Sequence, residues 1–253
     1  MTHHAAEVGF IFRRISSPYP QRMQLLPSTL ALIALLGWQG CSPERPPARP
    51  VDSASVAGDS KGDGSAGVAM ADRSRILGDS AAPVWVVIVS DFQCPYCKVW
   101  HDETFPALKR EFVDQGRIRL AYLNLPLPQH EHARVTAELA LCAGEQGRFW
   151  EYHDALFDTQ AEWSPMPPGT QYFAGLAAKA GVDSARLRAC IETGAVRGLV
   201  EADYQRSVEA KVGSTPSFFI GDDIRLAGAQ PITAFREAIE NARRRALIPA
   251  GGR

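Results

Sequence analysis

The sequence predicts an α/β fold in which a central mixed sheet is flanked by helices and a helical block separates the two halves of the fold. Two strand patterns around a helical pattern predict a β-α-β first half, and two further strand patterns before a last helix predict a β-β-α second half. Helical periodicity fills residues 128–212 between the halves. The chain has 253 residues and a net charge of −1, which suits one large domain with extra segments and does not favour nucleic-acid binding.

The strands of the first half are marked by apolar, β-branched residues. Residues 84–89 form a continuous apolar run that ends at Ser90, which is typical of a central strand covered on both faces. Ile118–Asn124 alternates apolar and other residues and predicts a second strand. The helical spacing of residues 95–112 lies between the two strands, and we expect Pro106 to kink that helix.

The helical block and the second half are divided by turn residues. A Gly-Asp-Asp turn joins Ser217–Ile220 to Ile224–Ala227 and predicts a β-hairpin. Pro231 is expected to start a last amphipathic helix that extends to about residue 247. Within the block, helices are predicted near residues 135–142, 149–157, 172–180, 184–193 and 196–212.

Residues 1–41 have the pattern of an N-terminal extension followed by an export signal. Three arginines precede an apolar run at residues 30–36, as the basic and apolar regions of a signal peptide do. The run is shorter than the about 20 residues of a membrane-spanning helix. A short membrane anchor or a buried helix is the alternative to a signal peptide. Met23 lies where a signal peptide of ordinary length would begin, so we expect translation to start there.

Cys41 ends this segment and has two interpretations. Gly40-Cys41 resembles the lipobox of bacterial lipoproteins, in which the cysteine is lipidated, although Trp38 stands where the motif prefers a leucine-like residue. Ordinary signal-peptidase cleavage is the alternative, and in both cases we expect the protein in the periplasm or cell envelope. Residues 42–74, rich in Pro, Gly and Ser, predict a disordered tether before a folded domain of residues 75–250, and a lipid on Cys41 would anchor that tether to the membrane.

The sequence Cys94-Pro95-Tyr96-Cys97 lies directly after the buried strand, at the start of the first helix. Unpaired N–H groups and the positive end of the helix dipole stabilise a thiolate there, so we expect the pKa of Cys94 to lie below that of a free thiol. Pro95 suits the first helical position, and Cys97 lies one turn deeper. We therefore expect Cys94 to be the exposed, attacking thiol and Cys97 the resolving thiol, with Tyr96 tuning the reduction potential.

A zinc site, a structural disulfide and two inert cysteines are the alternatives for Cys94 and Cys97. Zinc would need a second pair of ligands at short spacing, whereas Cys142 and Cys190 are isolated in the sequence. A disulfide across so short a loop would constrain the unfolded chain little. We therefore expect a redox-active disulfide, with no metal and no other cofactor.

Three segments carry a resemblance to a known family. Residues 77–97, which end in SDFQCPYC, look like an opening strand and active site of the DsbA-like branch of the thioredoxin superfamily. Residues 140–153 are similar to that branch's first inserted helices, and GSTPSFFI at residues 213–220 resembles its cis-proline loop and third strand. The resemblance covers residues 75–247 and implies a thioredoxin-like fold with a helical insertion and thiol:disulfide oxidoreductase activity.

The same resemblance implies roles for the loop that precedes the third strand. It implies a cis bond before Pro216, with Thr215 against the cysteine sulfurs. Both residues would then lie near the backbone of a substrate. From the residues alone, a trans bond before Pro216 is also allowed. The family usually has a buried acid six residues before the first cysteine, where this chain has Ile88. Either another group or water then moves the proton of the resolving thiol, or exchange is slower. We expect the nearby Asp91 to be a turn or cap acceptor.

Cys142 and Cys190 are expected to face the interior of the helical block, since Cys142 shares a helix face with Leu139 and Cys190 shares one with Leu187. In an oxidising compartment we expect them to form a disulfide. The loop that it would close corresponds to at most about 4 kcal/mol of stabilisation. Two separate small apolar side chains are the alternative.

These observations favour an enzyme that donates the Cys94–Cys97 disulfide to unfolded or reduced exported proteins. The resemblance implies that a membrane quinone-linked thiol oxidase reoxidises the enzyme. A reductase or isomerase kept reduced by a membrane electron donor is one alternative. A peptide-binding chaperone or adaptor that does not use the disulfide chemically is the other.

Overall fold

The computed structural model of the chain describes residues 61–169 and 171–246. Five strands form one mixed sheet in the order β1-β3-β2-β4-β5. The two-residue strand β1 was not predicted, because so short a segment has no periodicity. The strands are β1 (Ile76–Leu77), β2 (Val84–Ser90), β3 (Ile118–Asn124), β4 (Ser217–Ile220) and β5 (Ile224–Ala227).

Strand β2 lies at the centre of the sheet, parallel to β3 and antiparallel to β4. Val86 and Ile88 pack into one hydrophobic core, and Val87 and Val89 pack into a second core on the other face. All four side chains are completely buried. A strand covered on both faces needs apolar residues without alternation, and this is the pattern from which β2 was predicted.

Helices are present in both predicted halves of the fold and in the block between them. The kink expected at Pro106 is confirmed, because α2 ends at Glu103 and Pro106 lies in the first turn of the separate helix α3, after which Lys109–Val113 is π-helical. The α-helices of the described residues are α1 (Lys61–Ser74), α2 (Pro95–Glu103), α3 (Phe105–Leu108), α4 (Ala133–Gly144), α5 (Phe149–Asp158), α6 (Gln160–Trp163), α7 (Gln171–Lys179), α8 (Ser184–Thr193), α9 (Arg197–Glu209) and α10 (Ile232–Ala246).

Helices α4 to α9 form the predicted insertion between β3 and β4. They enclose a core in which Tyr152, Trp163 and Phe173 are among the largest fully buried side chains, and this core also includes Cys94 and Cys97. Cys142 on α4 and Cys190 on α8 form a disulfide, with their Cα atoms 5.8 Å apart. The insertion is therefore a packed and cross-linked subdomain rather than an extended loop.

Helix α1 corrects the prediction of a disordered tether over residues 42–74. Residues 61–74 are helical, and Ala71 is completely buried in the core of the insertion. The helix approaches α4 closely, because a Cβ added to Gly144 would lie 3.3 Å from Ala71 Cα and 2.5 Å from Ser74 Oγ. The small residues of this segment suggested a linker. In the structure, they allow α1 to pack closely against α4. Residues 42–60 and Cys41 lie outside the described residues.

Arg75 joins α1, the sheet and the insertion. Its side chain is 1% exposed and forms ion pairs with Asp72 and the fully buried Asp203. It also donates to the carbonyl oxygen of Tyr122 on β3 at 3.3 Å. Asp203 on α9 in turn accepts the N–H of Asn124 at 3.1 Å. A buried guanidinium therefore connects three parts of the fold that are distant in sequence.

We expect Arg75→Ala to lower the free energy of unfolding by about 3 kcal/mol, because it leaves the Asp203 carboxylate buried with one cation fewer. Urea unfolding followed by circular dichroism measures the change. Arg206→Ala is the matched control, since Arg206 pairs with the same carboxylate but is 26% exposed, and we expect it to cost no more than about 1 kcal/mol. Equal effects of the two variants would contradict a special role for Arg75.

Candidate active site

Cys94 caps the N-terminus of α2. Its backbone is extended, with φ −69° and ψ 123°, and Pro95 follows at the start of the helix. The Cys94 carbonyl oxygen accepts the N–H groups of Cys97 and Lys98 at 3.1 and 3.2 Å. The Cys94 side chain makes no capping hydrogen bond as a neutral thiol. The N–H groups of Cys97 and Tyr96 at the start of the helix nevertheless contribute to lowering its pKa, after larger contributions from the Cys97 thiol and Thr215.

The cis-proline loop lies against the same sulfur. The Thr215–Pro216 peptide bond is cis, and Cys94 Sγ donates a hydrogen bond to the carbonyl oxygen of Thr215 over 3.5 Å. The Thr215 hydroxyl is buried and has no hydrogen-bond partner in the described part of the chain. Its O–H is therefore available to a Cys94 thiolate, and this hydroxyl lowers the pKa of Cys94.

The two thiols differ in acidity. A hydrogen bond from the Cys97 thiol is the largest cause that lowers the pKa of Cys94 to about 6, against the opposing effect of burial. Burial is the largest cause that raises the pKa of Cys97 well above that of an ordinary thiol, and the neighbouring Cys94 raises it further. Near neutral pH the reduced pair therefore holds a Cys94 thiolate beside a protonated Cys97.

Cys94 is more buried than the sequence predicted. It is 4% exposed and Cys97 is 1% exposed, so the expectation of an exposed attacking thiol is wrong. The helix N-terminus and the loop at Thr215 both contact the sulfur and cover it. Tyr96, between the two cysteines, is instead 66% exposed. The exposed surface of the site is therefore formed by Tyr96 rather than by a protruding thiol.

Two glutamines hold the segment before α2, and neither was predicted. Gln160 on α6 donates its side-chain amide to the carbonyl oxygens of Phe92 and Cys94, at 2.6 and 3.1 Å. Gln93 accepts the N–H of His132 at 2.7 Å. The insertion therefore fixes the backbone that leads into the cysteine pair. An amide that bonds a distant carbonyl belongs to no local pattern, so the sequence has no signal for it.

Asp91 is the turn acceptor that the sequence predicted, with one further partner. Its side chain accepts the N–H groups of Gln93 and Leu127 at 2.8 and 2.9 Å. It also pairs with Nδ1 of His130 at 2.8 Å. Burial is the largest cause that raises the pKa of Asp91, and these hydrogen bonds oppose the rise. The carboxyl group thus ties the segment before Cys94 to the chain that follows β3.

The position of the family's buried acid is apolar in this structure. Ile88 is completely buried in a hydrophobic core. The polar groups nearest to the resolving thiol come from other positions: the hydroxyl of Ser90 and the backbone N–H of Asp91 both lower the pKa of Cys97. The Tyr122 hydroxyl is buried nearby, and the charge of Cys97 contributes to raising its pKa, although burial is the larger cause. The hydroxyl groups of Ser90 and Tyr122 are therefore the side-chain polar groups that interact with the Cys97 thiol where the family has an acid.

The remaining predicted cysteines lie apart from this site. Cys142 and Cys190 are joined within the insertion, and Cys41 is outside the described residues. The described residues place neither Cys94 nor Cys97 in a cluster of three metal-ligating side chains. They also contain no helix that is both long and apolar enough to cross a bilayer.

A mixed five-stranded sheet with two cysteines at a helix N-terminus, facing a cis-proline loop, defines a thiol:disulfide oxidoreductase of thioredoxin-like fold. The family model described as Thioredoxin matches residues 71–241. The chain belongs to the thioredoxin family, and its relatives place it in the DsbA-like branch.

Three relatives illustrate this membership. The chain is 36% identical to the Na(+)/H(+) antiporter NhaA 1 of Salinispora arenicola over 174 residues, which are 68% of this chain and 25% of the antiporter. It is 28% identical to disulfide bond formation protein D of Bacillus subtilis over 160 residues, with 59% and 68% of the two chains covered. Oxidised BdbD from Bacillus subtilis superposes with a TM-score of 0.61 at 23% identity, over 66% of this chain and 91% of that one. The chain thus spans about a quarter of the antiporter relative's length.

We expect the reduced protein to show a thiolate transition at about pH 6, measured by ultraviolet absorbance, and none after oxidation of the Cys94–Cys97 pair. Thr215→Val should raise the pKa of Cys94, because the thiolate loses a hydroxyl donor. Thr193→Val is the control, since the Thr193 hydroxyl bonds only to carbonyl oxygens of its own helix. A wild-type transition at the pH of a free cysteine would contradict the assignment.

Proposed function

We propose that this protein is an oxidase that forms disulfides in exported proteins. The observation that carries the proposal is the Cys94 sulfur, which the Cys97 thiol above all, and then Thr215 and the N–H groups at the start of α2, stabilise as a thiolate with a pKa of about 6. Only the reduced enzyme contains this thiolate, so its stabilisation favours reduction of the enzyme and makes the disulfide a stronger oxidant. A thiol of low pKa is also a good leaving group in exchange.

The proposed reaction takes place in two exchanges. A substrate thiolate attacks Cys94 Sγ of the oxidised enzyme, the Cys94–Cys97 bond breaks, and the Cys97 sulfur leaves and takes up a proton. A second thiolate of the substrate then attacks the substrate sulfur that is bonded to Cys94. This forms the substrate disulfide and releases the Cys94 thiolate. Two electrons pass from the substrate dithiol to the enzyme, and a membrane quinone-linked thiol oxidase accepts them in turn.

The surface around Cys94 supports binding of unfolded chains. Tyr96 and Val99 on α2 are large apolar side chains that are 66% and 39% exposed. Thr215 and Pro216 precede β4 and place backbone beside the sulfur. We propose that a substrate segment pairs with this backbone while its apolar side chains contact Tyr96, which would let the enzyme accept many sequences.

The cell envelope is the proposed location. The signal-peptide pattern of residues 1–41 and the Cys142–Cys190 disulfide both support export to an oxidising compartment. In this proposal Cys41 carries a lipid, and the residues before α1 tether the folded domain to the membrane. Acyl labelling of the wild-type chain and of Cys41→Ser distinguishes lipidation from ordinary cleavage, which would leave neither protein labelled.

We expect Cys94→Ser to abolish reduction of insulin disulfides by the dithiol enzyme, because it removes the sulfur that forms the mixed disulfide. Cys97→Ala should retain the first attack and accumulate mixed disulfides, which non-reducing electrophoresis detects. Cys41→Ser is the control and should keep full exchange activity. An adaptor that does not use the disulfide chemically would be indifferent to both active-site changes.

The direction of the reaction is tested by equilibration with glutathione buffers. We expect a reduction potential at or above about −180 mV, in the range of strong disulfide donors. A value near about −270 mV, typical of thioredoxin, would support the reductase alternative and overturn the proposed oxidase. Thiol trapping in the source cell is the second measurement: an oxidase is mostly oxidised there, and a reductase or isomerase is mostly reduced.

A further inference from the structure

A second cluster of polar side chains lies at the contact between α2 and the insertion. His101 is on α2, four residues after Cys97, and His153 and Asp154 are on α5. Asp154 Oδ1 lies 2.8 Å from Nδ1 of His153 and 3.3 Å from Nε2 of His101. The described residues thus bring two imidazoles and one carboxylate together within 4.8 Å. The sequence does not predict this cluster, since His101 lies 53 residues before Asp154, with strand β3 between them.

The spacing of these three atoms suits a small divalent cation. Ligands about 2.0–2.1 Å from a tetrahedral zinc ion are about 3.3 Å apart. The two contacts to Asp154 Oδ1, at 2.8 and 3.3 Å, are close to that separation. A cation between the three atoms would therefore need only small rotations of side chains that already converge.

Asp102 contacts the ring nitrogen of His101 that would not bind the metal, as the second partner of a metal-bound histidine does. Nδ1 of His101 lies 3.0 Å from Asp102 Oδ1, and Lys98 holds the same carboxylate at 2.7 Å. With Nδ1–H held by Asp102, a cation would bind His101 through Nε2 and would replace the proton that Nε2 shares with Asp154 when no ion is bound. Metal-bound histidines almost always have such a second partner.

The surroundings of the cluster supply a rigid inner side and an open outer side. His153 is completely buried, and its ring lies 4.8 Å from that of Trp150 and 5.0 Å from that of Phe157. Its Nε2 has no hydrogen-bond partner among the described residues, so a cation on Nδ1 would leave a buried N–H at Nε2 without an acceptor, in contrast to His101, whose Nδ1 faces Asp102. Asp154 is half exposed on the other side, where water can complete the coordination.

We propose that His101, His153 and Asp154 bind a divalent transition-metal ion of the zinc or cobalt type, with water as a further ligand. The ion would join the helix that carries Cys94 and Cys97 to the insertion. No metal was expected because the sequence has no second pair of ligands at short spacing from Cys94 and Cys97, whereas this cluster is brought together only by folding. The proposal stands on the geometry of the cluster and is independent of the direction of disulfide exchange.

Metal titration of the oxidised protein tests the proposal, since the closed Cys94–Cys97 disulfide cannot bind the ion. The background chain carries His3→Ala, His4→Ala and Cys41→Ala, which removes ligands outside the described residues. We expect one equivalent of Co²⁺ to give visible d–d absorption, one equivalent of Zn²⁺ to displace it, and the melting temperature to rise with added Zn²⁺. Absence of saturable binding at millimolar metal would overturn the proposal.

The variants locate the site. His101→Gln and Asp154→Asn should each abolish saturable binding, and Asp102→Asn should weaken it by about 10- to 100-fold, as loss of an orienting partner does. His130→Gln is the matched control for binding to any histidine and should still bind one equivalent. Unchanged affinity in His101→Gln would refute the site, and so would loss of binding in His130→Gln alone. If Asp154→Asn does not fold, as judged by circular dichroism, His101→Gln alone decides the result.

Discussion

The hydrogen bonds to the Cys94 sulfur are the interaction on which the chemistry of this protein depends. The Cys97 thiol, the Thr215 hydroxyl and the N–H groups at the start of α2 all stabilise the anion. A hydrogen bond to a charged group contributes about 1.5–3 kcal/mol, which corresponds to about 30–65 mV for a two-electron couple. A few such bonds can therefore move a disulfide from the range of a reductant to that of an oxidant.

The site is assembled by the sheet and the insertion together, and both cysteines lie in the core that the insertion encloses. The sheet holds α2 through the end of β2 and holds Thr215 through the start of β4. The insertion holds the intervening backbone through Gln160, which reaches the carbonyl oxygen of Cys94 from α6. Arg75 in turn fixes α9 to β3. Because both parts are needed, a change in the packing between sheet and insertion would alter the geometry around the sulfur.

The sequence predicted what local patterns determine and missed what distant contacts determine. The hairpin at Ser217–Ile220 and Ile224–Ala227 follows from its turn residues, and the thiolate site follows from two cysteines at a helix start. Helix α1 was missed because Gly and Ala are common in linkers, and only the close approach to Gly144 shows that they pack. The hydrogen bonds from Gln160 to the carbonyl oxygens of Phe92 and Cys94 could not be predicted either. A single polar side chain in a helix does not indicate which carbonyl group it will contact.

The disulfide between Cys142 and Cys190 constrains how the protein matures as well as how it is folded. Its two sulfurs are almost fully buried, so the bond has to form before or during compaction of the insertion, when an oxidant can still reach them. A newly synthesised chain must therefore lose two electrons to an external oxidant before the insertion is cross-linked. Under the proposed oxidase function, this maturation step is the same kind of reaction that the mature enzyme would carry out on other exported proteins.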